Sequence, residues 1–166
     1  DELTGLYTRQ AFYHHARTFT HFMTEEKFNV VILDVADFKL INGTYGTKKG
    51  NEVLVYLSNA FRYYVKNGLL TRYEGDQLLG LFHSNEKLDI DRINKNINKI
   101  AEEAPIPNIR IKVGVYENVD TTLSMPIICD RALMAEKSIS KDFKTNVAFY
   151  TDELNQKQLA QRQMEN

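Results

Sequence analysis

Apolar residues recur along the chain at helical or strand-like spacing, and this pattern predicts elements in the order α-β-α-β-β-α-β-α-β. Helical spacing predicts helices over residues 9–24, 48–66, 89–103 and 123–139. Continuous or alternating apolar runs predict strands over residues 28–35, 68–73, 78–82, 109–116 and 146–150. The segment 1–8 is expected to be a docked loop, and 36–46 is expected to be rich in turns.

The strands 68–73 and 78–82 are joined by a tight turn, which predicts an antiparallel hairpin at the centre of the sheet. Helices separate most of the other strands and can cover both faces. We therefore predict an α+β fold with a five-stranded, mainly antiparallel sheet flanked by helices and a ferredoxin-like core. The strand 109–116 alternates apolar and polar residues, so one of its faces is expected to be more open.

Residues 1–150 are expected to form one domain, since 166 residues suffice for a single full core. The segment 151–166 has few apolar residues and is expected to be a linker helix towards a missing C-terminal domain.

A net charge of −1 argues against a broad nucleic-acid-binding face. The single cysteine excludes an internal disulfide and any cysteine-rich metal site. The sequence has no signal peptide and no apolar run long enough to span a bilayer. We therefore expect a cytoplasmic location, with no direct membrane contact by this segment.

Two aspartates are the candidate chemical groups. Asp34 ends an apolar strand, and Asp76 lies in the hairpin turn with Glu74 and Gly75. If the strands are neighbours, the two carboxylates converge and suit Mg²⁺, which prefers oxygen ligands. Lys39 and Lys137 would neutralise phosphate. The alternatives are that Gly-Asp is ordinary turn chemistry and that the aspartates are unrelated strand ends.

Several ordered motifs carry a more specific signal. Asp1-Glu-Leu-Thr-Gly-Leu-Tyr-Thr-Arg9 precedes Asp34-Val-Ala-Asp-Phe-Lys39, which is followed by Ile41-Asn42 and Gly46-x-x-x-Gly50. Glu74-Gly-Asp-Gln-Leu78 stands where a Gly-Gly-Asp-Glu-Phe signature would belong, and Asp130-Arg-Ala-Leu comes near the end. Together they resemble the GGDEF domains of diguanylate cyclases, which condense two GTP into cyclic di-GMP.

The resemblance implies a nucleotide-cyclase or polymerase-palm type of fold and a set of site residues. It implies metal ligation by Asp34, Asp76 and the Val35 carbonyl. It implies catalytic-signature positions at Glu74, Gly75, Asp76 and Gln77. It also implies nucleotide contacts at Phe38, Lys39, Asn42, Asn51 and Lys137.

Three departures from the family pattern bear on activity. Asn51 replaces an aspartate that accepts from the guanine edge, and Gln77 replaces a glutamate near the metal. Glu74 replaces a glycine where the substrate lies close to the backbone. Residues 65–68 also lack the family's Arg-x-x-Asp product-inhibition motif. These departures predict a degenerate GGDEF domain with little or no cyclase activity.

Three functions follow as hypotheses. The first is a regulatory module that binds GTP or a related nucleotide and biases a linked EAL phosphodiesterase domain, because residues 150–166 resemble the connector to such domains. The second is a weakly active diguanylate cyclase with Mg²⁺ as cofactor. The third is a ligand-free dimerisation or scaffold module. A homodimer is a further expected partner.

Overall fold

The fold comes from a computed structural model that describes residues 1–22, 26–84 and 86–165. The strands are β1 Tyr7–Thr8, β2 Phe28–Val35, β3 Leu69–Glu74, β4 Gln77–His83, β5 Ile111–Tyr116 and β6 Val147–Phe149. The helices are α1 Arg9–Phe22, α2 Phe38–Tyr45, α3 Thr47–Tyr64, α4 Ile90–Glu102, α5 Met125–Ser138 and α6 Asp152–Glu165. The predicted helical residues 23 and 24, and the last residue of the predicted linker, lie outside the described residues.

The sheet has six strands in the order β1-β3-β4-β2-β5-β6. The three central pairings are antiparallel, while β1 pairs with β3, and β5 with β6, in parallel. The prediction of a five-stranded, mainly antiparallel sheet was therefore wrong in strand number and in type. The two residues of β1 are too few to show alternation, and a crossover through α5 returns the chain parallel to β5.

The core has two layers, one on each face of the sheet. Leu33 and Val35 of β2 face the α3 and α4 side, whereas Val30 and Ile32 face the α1 and α5 side. Side chains alternate between faces along a strand, so Asp34 lies on the same face as Val30 and Ile32, towards α1 and α5. The alternation of β2 thus decides which helices surround that aspartate.

Strand β5 is buried on both faces, contrary to the prediction of one open face. Lys112 is only 1% exposed. Its ammonium donates hydrogen bonds to the backbone oxygens of Asp142 and Thr145 and to the side-chain oxygen of Asn146. The face that looks polar in the sequence is covered because the loop after α5 supplies oxygen partners to the lysine.

Helix α2 occupies the segment that was predicted to be turns. Asn42 and Gly43 give it a weak helix propensity, and none of its residues is fully buried. It ends at Gly46, whose φ of 90° favours glycine. The helix nevertheless packs against α3, and this contact overrides the weak local preference.

Helix α6 is largely exposed, with Leu159 and Met164 both open to solvent. It makes only a small contact with α5. Within the described part of the chain, no helix combines the length and apolarity needed to cross a bilayer.

Candidate functional site

The structure brings Asp34 and Asp76 together at one edge of the sheet. Strands β2 and β4 are antiparallel neighbours, with Leu33 opposite Leu78. The backbone N–H of Val35 donates to Oδ2 of Asp76 over 3.1 Å. This bond ties the hairpin turn to the end of β2, so the two aspartates are held by adjoining strands.

The turn between β3 and β4 holds Asp76 in place. Gly75 has φ 55°, and a Cβ added there would meet nothing within 4 Å, so the need for glycine is conformational. Its carbonyl accepts a hydrogen bond of 2.8 Å from Nε of Arg72. Glu74, which ends β3, is exposed at this turn.

Gln77 opens β4 on the same face of the sheet as Asp34. The register that pairs Leu33 with Leu78 places Gln77 beside Asp34 on the neighbouring strand. Its Oε1 is buried and has no hydrogen-bond partner among the described residues. An amide oxygen that is buried without a partner costs stability, and such groups cluster at functional sites.

Glu136 on α5 joins this site, and the sequence analysis missed it. Its residue exposure is 1%, and its Oε2 has no hydrogen-bond partner in the described structure. The nearest recorded cation is Nζ of Lys137, at 3.9 Å. The available signal was spacing: Glu136 falls four residues after the buried Ala132, on the helix face that packs on the sheet.

The carboxyl groups perturb one another. Burial, followed by the neighbouring Asp76 and Glu136, raises the pKa of Asp34 to about 8, and the nearby Lys137 opposes this rise. Burial likewise raises the pKa of Glu136, again against the effect of Lys137. The cluster therefore retains a proton at neutral pH unless a cation balances its charge.

The donor set fits a hard divalent cation. Asp34 and Asp76 supply carboxylate oxygens, and the unbonded Oε2 of Glu136 lies in the same charged cluster. In the parts of the chain that are described, no three or more His, Cys, Asp or Glu side chains are arranged to hold a metal ion together. A cation would thus depend on the two aspartates, with backbone or water oxygens completing its shell.

The other predicted nucleotide contacts lie mainly on α2 and α3. A Cβ added to Gly50 would lie 1.8 Å from Oδ1 of Asn42 and 3.4 Å from Cζ of Phe38, so these side chains fill the space that the glycine leaves. That Asn42 oxygen is buried and has no hydrogen-bond partner within the described ranges of the chain. Asn51 follows Gly50 and is half-buried, while Lys39 is exposed on α2.

A comparison with models of known protein families shows which family this chain belongs to. The model described as "Diguanylate cyclase, GGDEF domain" matches residues 1–141. The chain belongs to the GGDEF domain family. The match covers β1 to α5, which includes every residue that the sequence analysis assigned to the site.

Curated relatives of this GGDEF domain include named cyclases. The uncharacterized protein YhcK of Bacillus subtilis is 27% identical over 160 residues, which are 86% of this chain and 44% of the relative. Diguanylate cyclase DgcM of Escherichia coli is 28% identical over 123 residues, 69% of this chain and 30% of the relative. This chain thus spans less than half the length of these relatives.

Solved structures show the same fold. The GGDEF domain of TpbB (YfiN) from Pseudomonas aeruginosa has a TM-score of 0.73 at 22% identity and covers 97% of this chain and 98% of its own. The GGDEF domain of DgcB from Caulobacter crescentus, in complex with c-di-GMP, has a TM-score of 0.72 at 19% identity, with 90% and 91% coverage. The predicted cyclase-like α+β fold is therefore confirmed.

Proposed function

We propose that this GGDEF domain binds GTP or a related guanine nucleotide with Mg²⁺, forms little or no cyclic di-GMP, and regulates a linked EAL phosphodiesterase domain within cyclic di-GMP signalling in the cytoplasm. One observation carries the proposal. Asp34 and Asp76 meet at the sheet edge, joined through the Val35–Asp76 hydrogen bond, while Glu74 and Gln77 flank them. The cation-binding pair is retained, and the catalytic signature around it is altered.

The retained residues have separate roles in binding. Asp34, Asp76 and the Val35 carbonyl would hold Mg²⁺, which when bound offsets the charge of the triphosphate. The ammonium groups of Lys39 and Lys137 would contact phosphate oxygens. A further set, Phe38, Asn42 and Asn51 on the α2–α3 pair, would contact the nucleotide base.

The altered residues weaken catalysis more than binding. Asn51 in place of an aspartate removes one charged hydrogen bond to guanine, worth about 1.5–3 kcal/mol. Gln77 lacks the negative charge of a glutamate beside the reacting hydroxyl, and the exposed Glu74 adds bulk and repels the triphosphate. If each change costs about tenfold and they act independently, turnover falls about a thousandfold.

Regulation of an EAL domain is supported by the resemblance of residues 150–166 to the connector in such proteins. The observed α6 is helical and mostly exposed, which suits a connector between domains. The relatives that extend beyond the matched region are consistent with a multidomain setting.

A second candidate is a weakly active diguanylate cyclase, and the convergence of Asp34 and Asp76 favours it. Condensation of two GTP needs two opposed half-sites, so this function requires a homodimer. The third candidate, a ligand-free dimerisation or scaffold module, predicts no nucleotide binding.

Restoration of the family residues separates the first two candidates. The wild type and the triple variant Asn51→Asp, Glu74→Gly, Gln77→Glu would be incubated with Mg²⁺ and GTP, and cyclic di-GMP would be quantified by chromatography. We expect no product from the wild type. Measurable wild-type turnover that the triple variant merely increases would identify a weak cyclase and overturn the proposal.

A further inference from the structure

We propose that Glu136 is an internal anion that holds Lys137 and competes with nucleotide phosphate, so that this residue sets the affinity of the site for phosphorylated ligands. The inference rests on the proposed role of Lys137 as a phosphate contact. It adds a determinant of ligand choice that lies outside the signature turn and on a different helix.

The position of Glu136 is fixed by the packing of α5 on β5. A Cβ added to Gly114 would lie 2.1 Å from the carbonyl oxygen of Ala132 and 2.9 Å from Cβ of Glu136. The helix therefore lies directly on the strand at this glycine. The Glu136 side chain is only 2% exposed, so its carboxylate is almost completely shielded from bulk water.

The Glu136 carboxylate lacks part of the hydrogen bonding that a buried anion needs. Oε2 has no hydrogen bond among the described residues, and the 3.9 Å separation from Nζ of Lys137 is too long for one. Burial and the charge of Asp76 raise the pKa of Glu136, whereas its interaction with Asp34 lowers that pKa. Lys137 makes the closest charged contact with Glu136, and Lys112 has a smaller effect in the same direction on its pKa. Moving the closest counter-ion away from a buried anion costs stability.

The side chain of Lys137 is 53% exposed, so it can rotate towards an incoming phosphate. That movement would take the Lys137 ammonium away from the Glu136 carboxylate at the same time as a negatively charged phosphate enters the site. The repulsion between the Glu136 carboxylate and the ligand grows with the number of phosphate charges near Lys137. Glu136 therefore disfavours triphosphates more than monophosphates and has no effect on an uncharged nucleoside.

The test is Glu136→Gln, which keeps the length of the side chain and removes its charge. Calorimetric titrations with Mg²⁺ would compare GTP, GDP, GMP and guanosine. We expect GTP to bind the variant about tenfold more tightly than the wild type. The gain should decrease from GTP to GMP and vanish for guanosine, whereas a merely structural change would affect all four ligands alike.

Two further variants control for charge and folding. Glu102→Gln removes a charge from an exposed position on α4, at the opposite face of the sheet, and should leave all affinities unchanged. Glu136→Asp keeps the charge and should not reproduce the gain for GTP. If thermal melting shows that Glu136→Gln folds poorly, Glu136→Met replaces the carboxylate by an apolar group of similar length and carries the same expectation.

The outcomes separate this inference from the proposed function. GTP binding to the wild type, with equal affinity for the Gln variant, overturns the inference and leaves the function standing. Binding by the variant alone supports the inference and contradicts nucleotide binding as the function of the wild type. Failure of every Glu136 variant to bind GTP more tightly than the wild type shows that Glu136 does not limit binding and overturns the inference.

Discussion

Replacing Gly114 with alanine tests the contact that positions the α5 side of the site. The added Cβ would lie 2.1 Å from the Ala132 carbonyl oxygen and 2.6 Å from the Glu136 backbone nitrogen. Both atoms belong to the helix backbone and cannot rotate away. Relief requires α5 to move from the sheet by at least about 1.3 Å, to reach ordinary van der Waals separation.

The expected cost is at the upper end of the range for overpacking, about 3 kcal/mol. For a chain of this size that lowers Tm by roughly 6–12 °C. The displacement would also shift Glu136 and Lys137, so the affinity for Mg²⁺-GTP should change. Urea unfolding followed by circular dichroism gives the free energy of unfolding, and calorimetry gives the affinity.

Gly43→Ala is the matched control, because a Cβ at Gly43 would meet nothing within 4 Å. In the interior of α2 it should stabilise the protein by about 0.5–1 kcal/mol. Equal stability changes for the two alanine variants would refute the reasoning, as would a Gly114→Ala protein with wild-type stability.

Three further predictions follow from buried groups and from the residues before the hairpin. Lys112→Met removes the donor to the carbonyl oxygens of Asp142 and Thr145 and should lower the free energy of unfolding, measured in urea, by about 2–4 kcal/mol. An unchanged free energy of unfolding would show that water replaces the ammonium and would contradict the prediction. Folded Asp34 keeps its proton where the unfolded chain has released it, so the metal-free domain should lose stability as pH rises from about 4 to about 8. The contribution of Asp34 to the slope is at most about 1.4 kcal/mol per pH unit, reduced by screening at this half-buried site. A slope that Asp34→Asn leaves unchanged would contradict its assignment to Asp34. Residues 65–68 lack the Arg-x-x-Asp motif, so calorimetry should detect no cyclic di-GMP binding there, and binding at these residues would contradict the prediction.

Much of the fold could be predicted because the central strands carry strong local signals. The apolar run of β2 and the hairpin around Gly75 were placed within a residue or two of their observed bounds. The convergence of Asp34 and Asp76 was predicted on the condition that their strands are neighbours, and the pairing of β2 with β4 meets that condition. Their roles as metal ligands remain predictions.

The features that sequence reasoning missed depend on tertiary contacts. Strand β1 has two residues, which are too few to give an alternating pattern of apolar and polar residues in the sequence, so its pairing with β3 could not be predicted. Glu136 and Lys112 are charged residues that the sequence suggests are exposed, yet both are buried because α5 and its following loop cover β5. The helical spacing from Ala132 was a weak signal for Glu136, and the close packing of α5 on Gly114 is what brings it against the sheet.

The most direct test of the central claim is a calorimetric titration of GTP into the wild-type domain, with and without Mg²⁺, followed by assay of the same sample for cyclic di-GMP. We predict binding that requires Mg²⁺ and is lost in Asp76→Asn, with no product formed. Binding accompanied by product would show that Glu74 and Gln77 support catalysis. No binding in the presence of Mg²⁺ would contradict the account and leave a scaffold module that keeps the GGDEF fold without its ligand.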